Sequence, residues 1–385
     1  MAFARVRVCL ASCFVLATLG IIALMLSSAA QPLPPAGIHF VDDSATTGLN
    51  DGTSWLDAFT TLDNAISTAA AGDYLFVAEG TYAPATSSGD GFVVTKHLFI
   101  YGGFDGTEAT LDTRAGLFEA TVLDGTSATR VVTVSGVTGT PGVVIDGFQI
   151  KDGVGSGGTY GAGFNGAGIY STGSDLDLGN CLFNHNLSGH DGGGLYYTGP
   201  SGTPNTLNIK LCEFRENRAE DKGGAMFGSF LTDGDVVNTL FNQNHTISSD
   251  GGAVYLEDMG SANQLWFTNC IFWKNYVTAT GTKGGAVSLG ESSASTTAAA
   301  NAMIVNCTFV GNQALTCTAG QALSISTNSS CEIYNSIVWF NNDITCSGVL
   351  PIAGPITAID YSDVQFSTGH GFPSNVIDIT FRPSG

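Results

Sequence analysis

The chain has 385 residues, with 13 Lys and Arg against 33 Asp and Glu, a formal net charge of −20. Such an acidic balance repels phosphate backbones and anionic lipid surfaces, which excludes nucleic acid and membrane-surface partners. Only 12% of residues are charged while 51 are Gly, a composition that favours β-structure with many tight turns.

Residues 1–30 read as a signal peptide. Arg5 and Arg7 form a basic start, Val8 to Leu26 is almost unbroken apolar sequence, and Ser28-Ala29-Ala30 offers the small residues of a cleavage site. Pro32, Pro34 and Pro35 break any helix beyond it. Cleavage near Ala30 is expected, which makes the protein secreted or exposed on the outer surface. An uncleaved anchor is the rival reading, because the apolar run is nearly long enough to span a bilayer. It is also the one membrane contact this sequence suggests. Leu10-Ala11-Ser12-Cys13 imitates a lipoprotein processing box, with too little apolar sequence before the cysteine. Without the leader, 11 bases face 33 acids, a net charge of −22, and seven of nine cysteines remain.

Residues 31–140 are expected to hold an N-terminal cap and the first coils of a solenoid. Ser54 or Asp57 can cap a helix in which Trp55, Phe59, Leu62, Ala65, Ile66 and Ala69 follow amphipathic spacing. The strand Tyr74-Leu75-Phe76-Val77 comes straight after. Such a helix would cover the open end of stacked strands, whose unpaired edges invite aggregation.

Residues 141–367 repeat. One phenylalanine anchors each unit: Phe148, Phe183, Phe214, Phe241, Phe272 and Phe309, with Val338 in the last place. Three residues after each anchor from Phe183 stands an asparagine: Asn186, Asn217, Asn244, Asn275, Asn312 and Asn341. Three residues before stand Asn180, Asn238, Asn269, Asn306 and Asn335, with Leu211 as the exception. Two residues before stand Cys181, Cys212, Thr239, Cys270, Cys307 and Ser336. Glycine turns follow nine to twelve residues after the anchors from Phe183 to Phe309: Gly192-Gly193-Gly194, Gly223-Gly224-Ala225, Gly251-Gly252-Ala253, Gly284-Gly285-Ala286 and Gly320-Gln321-Ala322, with Gly166-Ala167-Gly168 opening the series.

In a strand, the positions at minus two and zero share one parity, so the cysteine and the phenylalanine both face a core. The asparagine at plus three is expected at the bend, tolerating left-handed backbone angles and passing amide hydrogen bonds from coil to coil. Each unit is too short to bury its own apolar face, so the units must stack. No segment within the repeats runs ten residues at helical spacing without Gly or Asn, which rules out a helical-hairpin solenoid, and propeller blades are usually longer. The predicted fold is all-β: a single-stranded right-handed parallel β-helix with an N-terminal capping helix. Residues 368–385 form a divergent tail, as in a truncated relative.

From Ile38 to about Ser367 the chain resembles the exported bacterial right-handed parallel β-helix repeat proteins of pectin-lyase-like fold. The resemblance rests on Val41-Asp42, Asn50-Asp51-Gly52-Thr53-Ser54-Trp55, Ala71-Gly72-Asp73 and Ala78-Glu79-Gly80-Thr81-Tyr82. It continues in Ile100-Tyr101-Gly102-Gly103-Phe104-Asp105-Gly106-Thr107-Glu108 and Val122-Leu123-Asp124-Gly125. The Gly-Gly-Ala and Phe-x-x-Asn units also look like those of chlamydial-type polymorphic outer-membrane proteins. The resemblance implies a secreted or cell-surface role in adhesion or contact with polysaccharide or surface glycan, with no agreed chemistry. The usual continuation beyond Tyr361-Ser362-Asp363-Val364 is missing.

The alternative is a carbohydrate-active enzyme, a lyase or hydrolase of acidic polysaccharide. Lyases of this fold need calcium held by aspartates beside an Arg or Lys base, and no such compact group is evident. No cofactor is evident either, although the acidic surface leaves calcium open. The best catalytic candidates are Glu213 and Arg215, in a coil that also carries Glu216, Arg218, Glu220, Asp221 and Lys222, with His185, His190 and His245 on adjacent coils. A solvated, self-satisfied face is the plainer reading of that run. Gly369-His370-Gly371 matches a hydrolase tripeptide without the carboxylate motifs that should accompany it.

Asp191, Lys222, Asp250 and Lys283 form a column of alternating sign, expected to be a salt-bridge ladder. Tyr170, Tyr196, Phe227 and Tyr255 form an aromatic column. Facing outward it would be a sugar-binding platform; facing inward it would be a core ladder, the favoured reading. Cys181 with Cys212, and Cys270 with Cys307, should be inward free thiols. Cys317 and Cys346 are the candidate disulfide. No Cys-x-x-Cys or His cluster suggests a metal site.

Overall fold

The computed structural model describes residues 37–364 apart from 86–88, 115–118, 140–141, 156–163, 200–204, 260–262, 291–298, 316–319, 340, 342–351, 355 and 361. The leader, the Cys317–Cys346 pair, Gly369-His370-Gly371 and the 368–385 tail lie outside the described residues.

Among the described residues every strand pairing is parallel, and the strands gather into four sheets, a parallel β-solenoid. Sheet one has eleven strands, from Ile38–Val41 to Ala358–Asp360. Sheet two has nine, from Phe92–Val94 to Ile352–Ala353, and sheet three ten, from Gly80–Tyr82 to Asp363–Val364. Sheet four has five two-residue strands, from Leu187–Ser188 to Gln313–Ala314. A coil visits them in turn: Leu176–Gly179 in sheet one, Leu182–Asn184 in three, Leu187–Ser188 in four, Leu195–Thr198 in two.

The register sets Phe183, Phe214, Phe241, Phe272, Phe309 and Val338 in one straight row in sheet three. Neighbouring rings stack at 4.3, 5.2, 4.7 and 4.4 Å with planes within 10°. Each ring is fully buried, which stabilises by about 2–3 kcal/mol per side chain before packing effects. Cys181, Cys212, Cys270 and Cys307 line the same core as free thiols.

Three expectations about the fold change. The row is carried back by Ile150, paired with Phe183, and not by Phe148. Phe148 is buried two residues earlier, in the place of the cysteines, because the core accepts any apolar side chain of the right parity. The left-handed residues are not the plus-three asparagines. They are the minus-three residues (Asn180, Leu211, Asn238, Asn269, Asn306, Asn335) and the plus-two residues His185, Glu216, Gln243 and Lys274. Two such bends flank each short strand and turn the chain between sheets.

The plus-three asparagines are instead buried inside the corner. Asn186, Asn217, Asn244, Asn275, Asn312 and Asn341 pass Nδ2–H to the next Oδ1 at 2.8–3.0 Å. The same oxygens accept the preceding asparagine's backbone N–H, so the ladder satisfies groups that the corner would otherwise strand.

The helix α1 is shorter than expected, Leu62–Thr68, with Thr61 as its cap. Ser54 and Asp57 close a preceding turn: Asp57 accepts from Ser54 Oγ at 2.9 Å and from the Leu49 N–H at 2.9 Å. Phe59 bridges Val41, and Trp55 packs with Phe40 and Phe104 outside the main core. Tertiary pairing with the first strand thus overrides helical spacing before residue 61. The buried side of α1, Leu62, Ala65 and Ile66, joins the main core.

The Gly-Gly turns need both glycines for different reasons. The first is left-handed, as at Gly223 (φ 65°). The second meets the next coil: a Cβ on Gly224 would lie 2.3 Å from the Gly252 carbonyl oxygen.

Candidate functional site

In sheet three the row at zero points into the core, so the residues on either side of it point out. Two outward columns result. One holds Leu182, Glu213, Leu240, Ile271, Thr308 and Ile337; the other holds Asn184, Arg215, Asn242, Trp273, Val310 and Trp339. The face therefore divides along its length. The earlier coils present Asn184, Glu213, Arg215 and Leu240, with Leu182 and Asn242 covered, and the later ones present Ile271, Trp273, Val310, Ile337 and Trp339.

Ile271, Trp273 and Ile337 are 47%, 42% and 45% exposed, whereas most large apolar side chains in these coils are buried. Trp273 and Trp339 stand in one column with Val310 between them, about 10 Å apart at two strand spacings. The Lys274 ammonium lies 4.8 Å from the Trp273 ring centre. This platform is not among the sequence-based candidates, which come from the inward anchor offsets, the charged run and the aromatic column. The signal was present, since both tryptophans occupy the position directly after an anchor.

The catalytic candidates Glu213 and Arg215 are two residues apart on one strand and pair with each other. Arg215 Nη2 is 2.6 Å and Nε 2.7 Å from the same Glu213 oxygen. Most of that coil's charge is satisfied likewise. Arg218 pairs with Glu220 at 2.8 Å, Glu216 with His185 at 2.6 Å, and Lys222 with Glu257 at 2.8 Å. His245 stacks on Tyr276 with ring centres 4.7 Å apart. Burial, then the Arg218 charge, pushes its pKa down to about 4.

Asp191, Lys222, Asp250 and Lys283 do share a column, but not as a salt-bridge ladder. Asp191 and Asp250 accept the backbone N–H of Lys222 and Lys283 at 3.0 and 2.7 Å, because the carboxylates turn toward the next coil's main chain. The Lys222 ammonium goes to Glu257.

The aromatic column stacks in order, with ring centres 5.3, 4.9 and 6.0 Å apart and planes within 9°. Its parity is outward, since Leu195 and Tyr197 on either side of Tyr196 enter the core. The favoured core reading therefore gives way to an outward ladder, yet much of it is covered. Phe227 and Tyr255 are 3% and 1% exposed. Cations sit over its ends, Arg130 at 4.3 Å from Tyr170 and Lys222 at 4.7 Å from Tyr255. Tyr170 and Tyr196 are half-buried.

Among the described residues, one group of side chains has the geometry of metal ligands: His190, Asp191 and Asp221. Compared with models of known families and with curated proteins, the chain matches none.

Proposed function

We propose that this is an exported, non-catalytic β-solenoid that contacts polysaccharide or surface glycan, in adhesion, through the outer face of sheet three. The observation that carries this reading is the outward column of Trp273, which is exposed, and Trp339, which is half-buried. Sugar rings present flat C–H faces edged by hydroxyls, which suits indole faces on a rigid, flat support. Two rings in one column favour an extended chain lying along the solenoid axis. The mutual pairing of Glu213 and Arg215 argues against the enzyme reading, since a lyase needs a base that is free to take a proton.

The finer architecture belongs to the same proposal. Crossovers between parallel strands are right-handed in about 98% of cases, which supports a right-handed, pectin-lyase-like coil. On this reading α1 caps the N-terminal end, and the signal peptide directs the protein to the outer surface or beyond. The repeat units support likeness to the chlamydial-type surface proteins.

The test is affinity electrophoresis of the purified chain on a panel of neutral and acidic polysaccharides. Retardation on at least one gel is expected, with no product formed, and Trp273→Ala or Trp339→Ala should abolish it. Retardation that ignores both substitutions, or unsaturated ultraviolet-absorbing products released from uronates, would overturn the proposal.

A further inference from the structure

The turn before Gly192 gathers groups that no glycan reading uses. His190 and Asp191 precede the left-handed Gly192, and Asp221 lies on the next coil, its backbone N–H bonded to the His190 carbonyl at 2.9 Å. The imidazole and the two carboxylates converge, with one ligand atom from each inside a span of 4.8 Å. His190 Nδ1 is 2.8 Å from Asp191 Oδ2, and Nε2 is 3.8 Å from Asp221 Oδ2.

Asp191 is held rigidly. Its N–H donates to Asn165 Oδ1 at 3.1 Å, and its Oδ1 accepts from the Lys222 N–H at 3.0 Å, which leaves Oδ2 facing the imidazole and Asp221. Its charge is poorly compensated. The residue is 6% exposed, and no Lys or Arg forms an ion pair with it among the described residues. Asp221 is similar. Glu213 and Glu220 on its coil each have an arginine at 2.6–2.8 Å, whereas the nearest ion-pair partner of Asp221 among the described residues is the His190 ring at 3.8 Å.

We propose that His190, Asp191 and Asp221 bind a single divalent transition-metal ion of the zinc class, through one imidazole nitrogen and two carboxylate oxygens. Two neighbouring carboxylates, one of them buried, form a hollow that a cation relieves. The imidazole favours zinc, copper or nickel over calcium and magnesium, which prefer all-oxygen ligands. Three protein ligands leave a coordination position open to water or to a ligand oxygen. Both coils are stitched by backbone hydrogen bonds, so the ligands are preorganised at a fixed corner of the solenoid and do not depend on a long loop.

The test is calorimetric titration of the untagged, EDTA-stripped chain with zinc chloride, repeated in excess calcium and magnesium. Saturable binding of one equivalent is expected, undisturbed by the competing ions. His190→Ala and Asp221→Asn, both at solvent-facing positions, should each weaken it about tenfold or more, since even outer-shell changes at metal sites reach that size. His185→Ala, which removes another exposed histidine paired to an acid, should leave it unchanged. Absence of saturable binding overturns the proposal. So does binding that survives both ligand substitutions, or that is lost equally in His185→Ala.

Discussion

Asn217 gives two hydrogen bonds to a single oxygen of Asn244: its backbone N–H and its Nδ2–H both reach Asn244 Oδ1 at 3.0 Å. Asn244 in turn donates to the Phe214 carbonyl at 2.9 Å and to Asn275 at 3.0 Å. One amide thus closes the corner of its own coil and those on both sides.

Asn244→Ala should therefore strand two buried donors and a carbonyl. At about 1–3 kcal/mol for each buried polar group left unpaired, the loss should be on the order of 4 kcal/mol. Asn244→Asp should not rescue it, because a carboxylate cannot donate to the Phe214 carbonyl. Urea denaturation measures both; a loss below about 1 kcal/mol would show that the ladder is not a stabilising element.

Leu211 points the other way. It occupies the column of Asn180, Asn238, Asn269, Asn306 and Asn335 and shares their left-handed backbone, with φ 56° and a side chain 56% exposed. A leucine there bears a steric penalty that asparagine largely avoids, so Leu211→Asn should stabilise by about 1 kcal/mol. An unchanged or lowered unfolding midpoint would contradict this.

The two aromatic sets should separate in one comparison. Phe227 is stacked between Tyr196 and Tyr255 and covered, so Phe227→Ala should cost about 3 kcal/mol of stability. Trp273 is exposed, and Trp273→Ala should change stability by no more than about 0.5 kcal/mol. Equal losses in the two variants would mean that the tryptophan platform is part of the packing.

His245 should make the fold acid-sensitive. Its folded pKa, about 4, lies below its ordinary 6.5, because burial and then Arg218 disfavour the imidazolium. The unfolded chain binds the proton first, so this contribution to stability is complete above pH 6.5 and is lost as pH falls toward 4. Asp191 and Asp250, whose carboxyls burial pushes up, act in the opposite sense and gain stability on acidification. The comparison is therefore between the chain and His245→Gln: denaturation midpoints at pH 7 and pH 5 should fall further in the former. Parallel falls would remove His245 as the cause.

Much of this molecule was legible in one dimension. The parallel solenoid, the core row from Phe183 to Val338, the inward cysteines and the coil-to-coil asparagine bonds all follow from residues recurring at constant offsets. Stacking in register converts a repeated offset directly into a column, so periodicity alone was sufficient there. The tryptophan platform was readable in the same way, one position after the anchors.

What required the tertiary structure were the relations that offsets do not encode. Ile150 and Phe148 fit the same alternation, and strand pairing with Phe183 chose between them. The 54–60 segment has helical spacing, but a turn from Ser54 to Asp57 and the pairing of Phe59 with Val41 keep it out of the helix. The column from Asp191 to Lys283 alternates in sign, yet its acids bond to main-chain N–H groups and Lys222 reaches Glu257. Side-chain direction at a corner depends on which backbone groups and cations the adjoining coils leave within reach. The convergence of His190, Asp191 and Asp221 has the same origin: it joins two positions of one coil to one position of the next, across 31 residues of sequence.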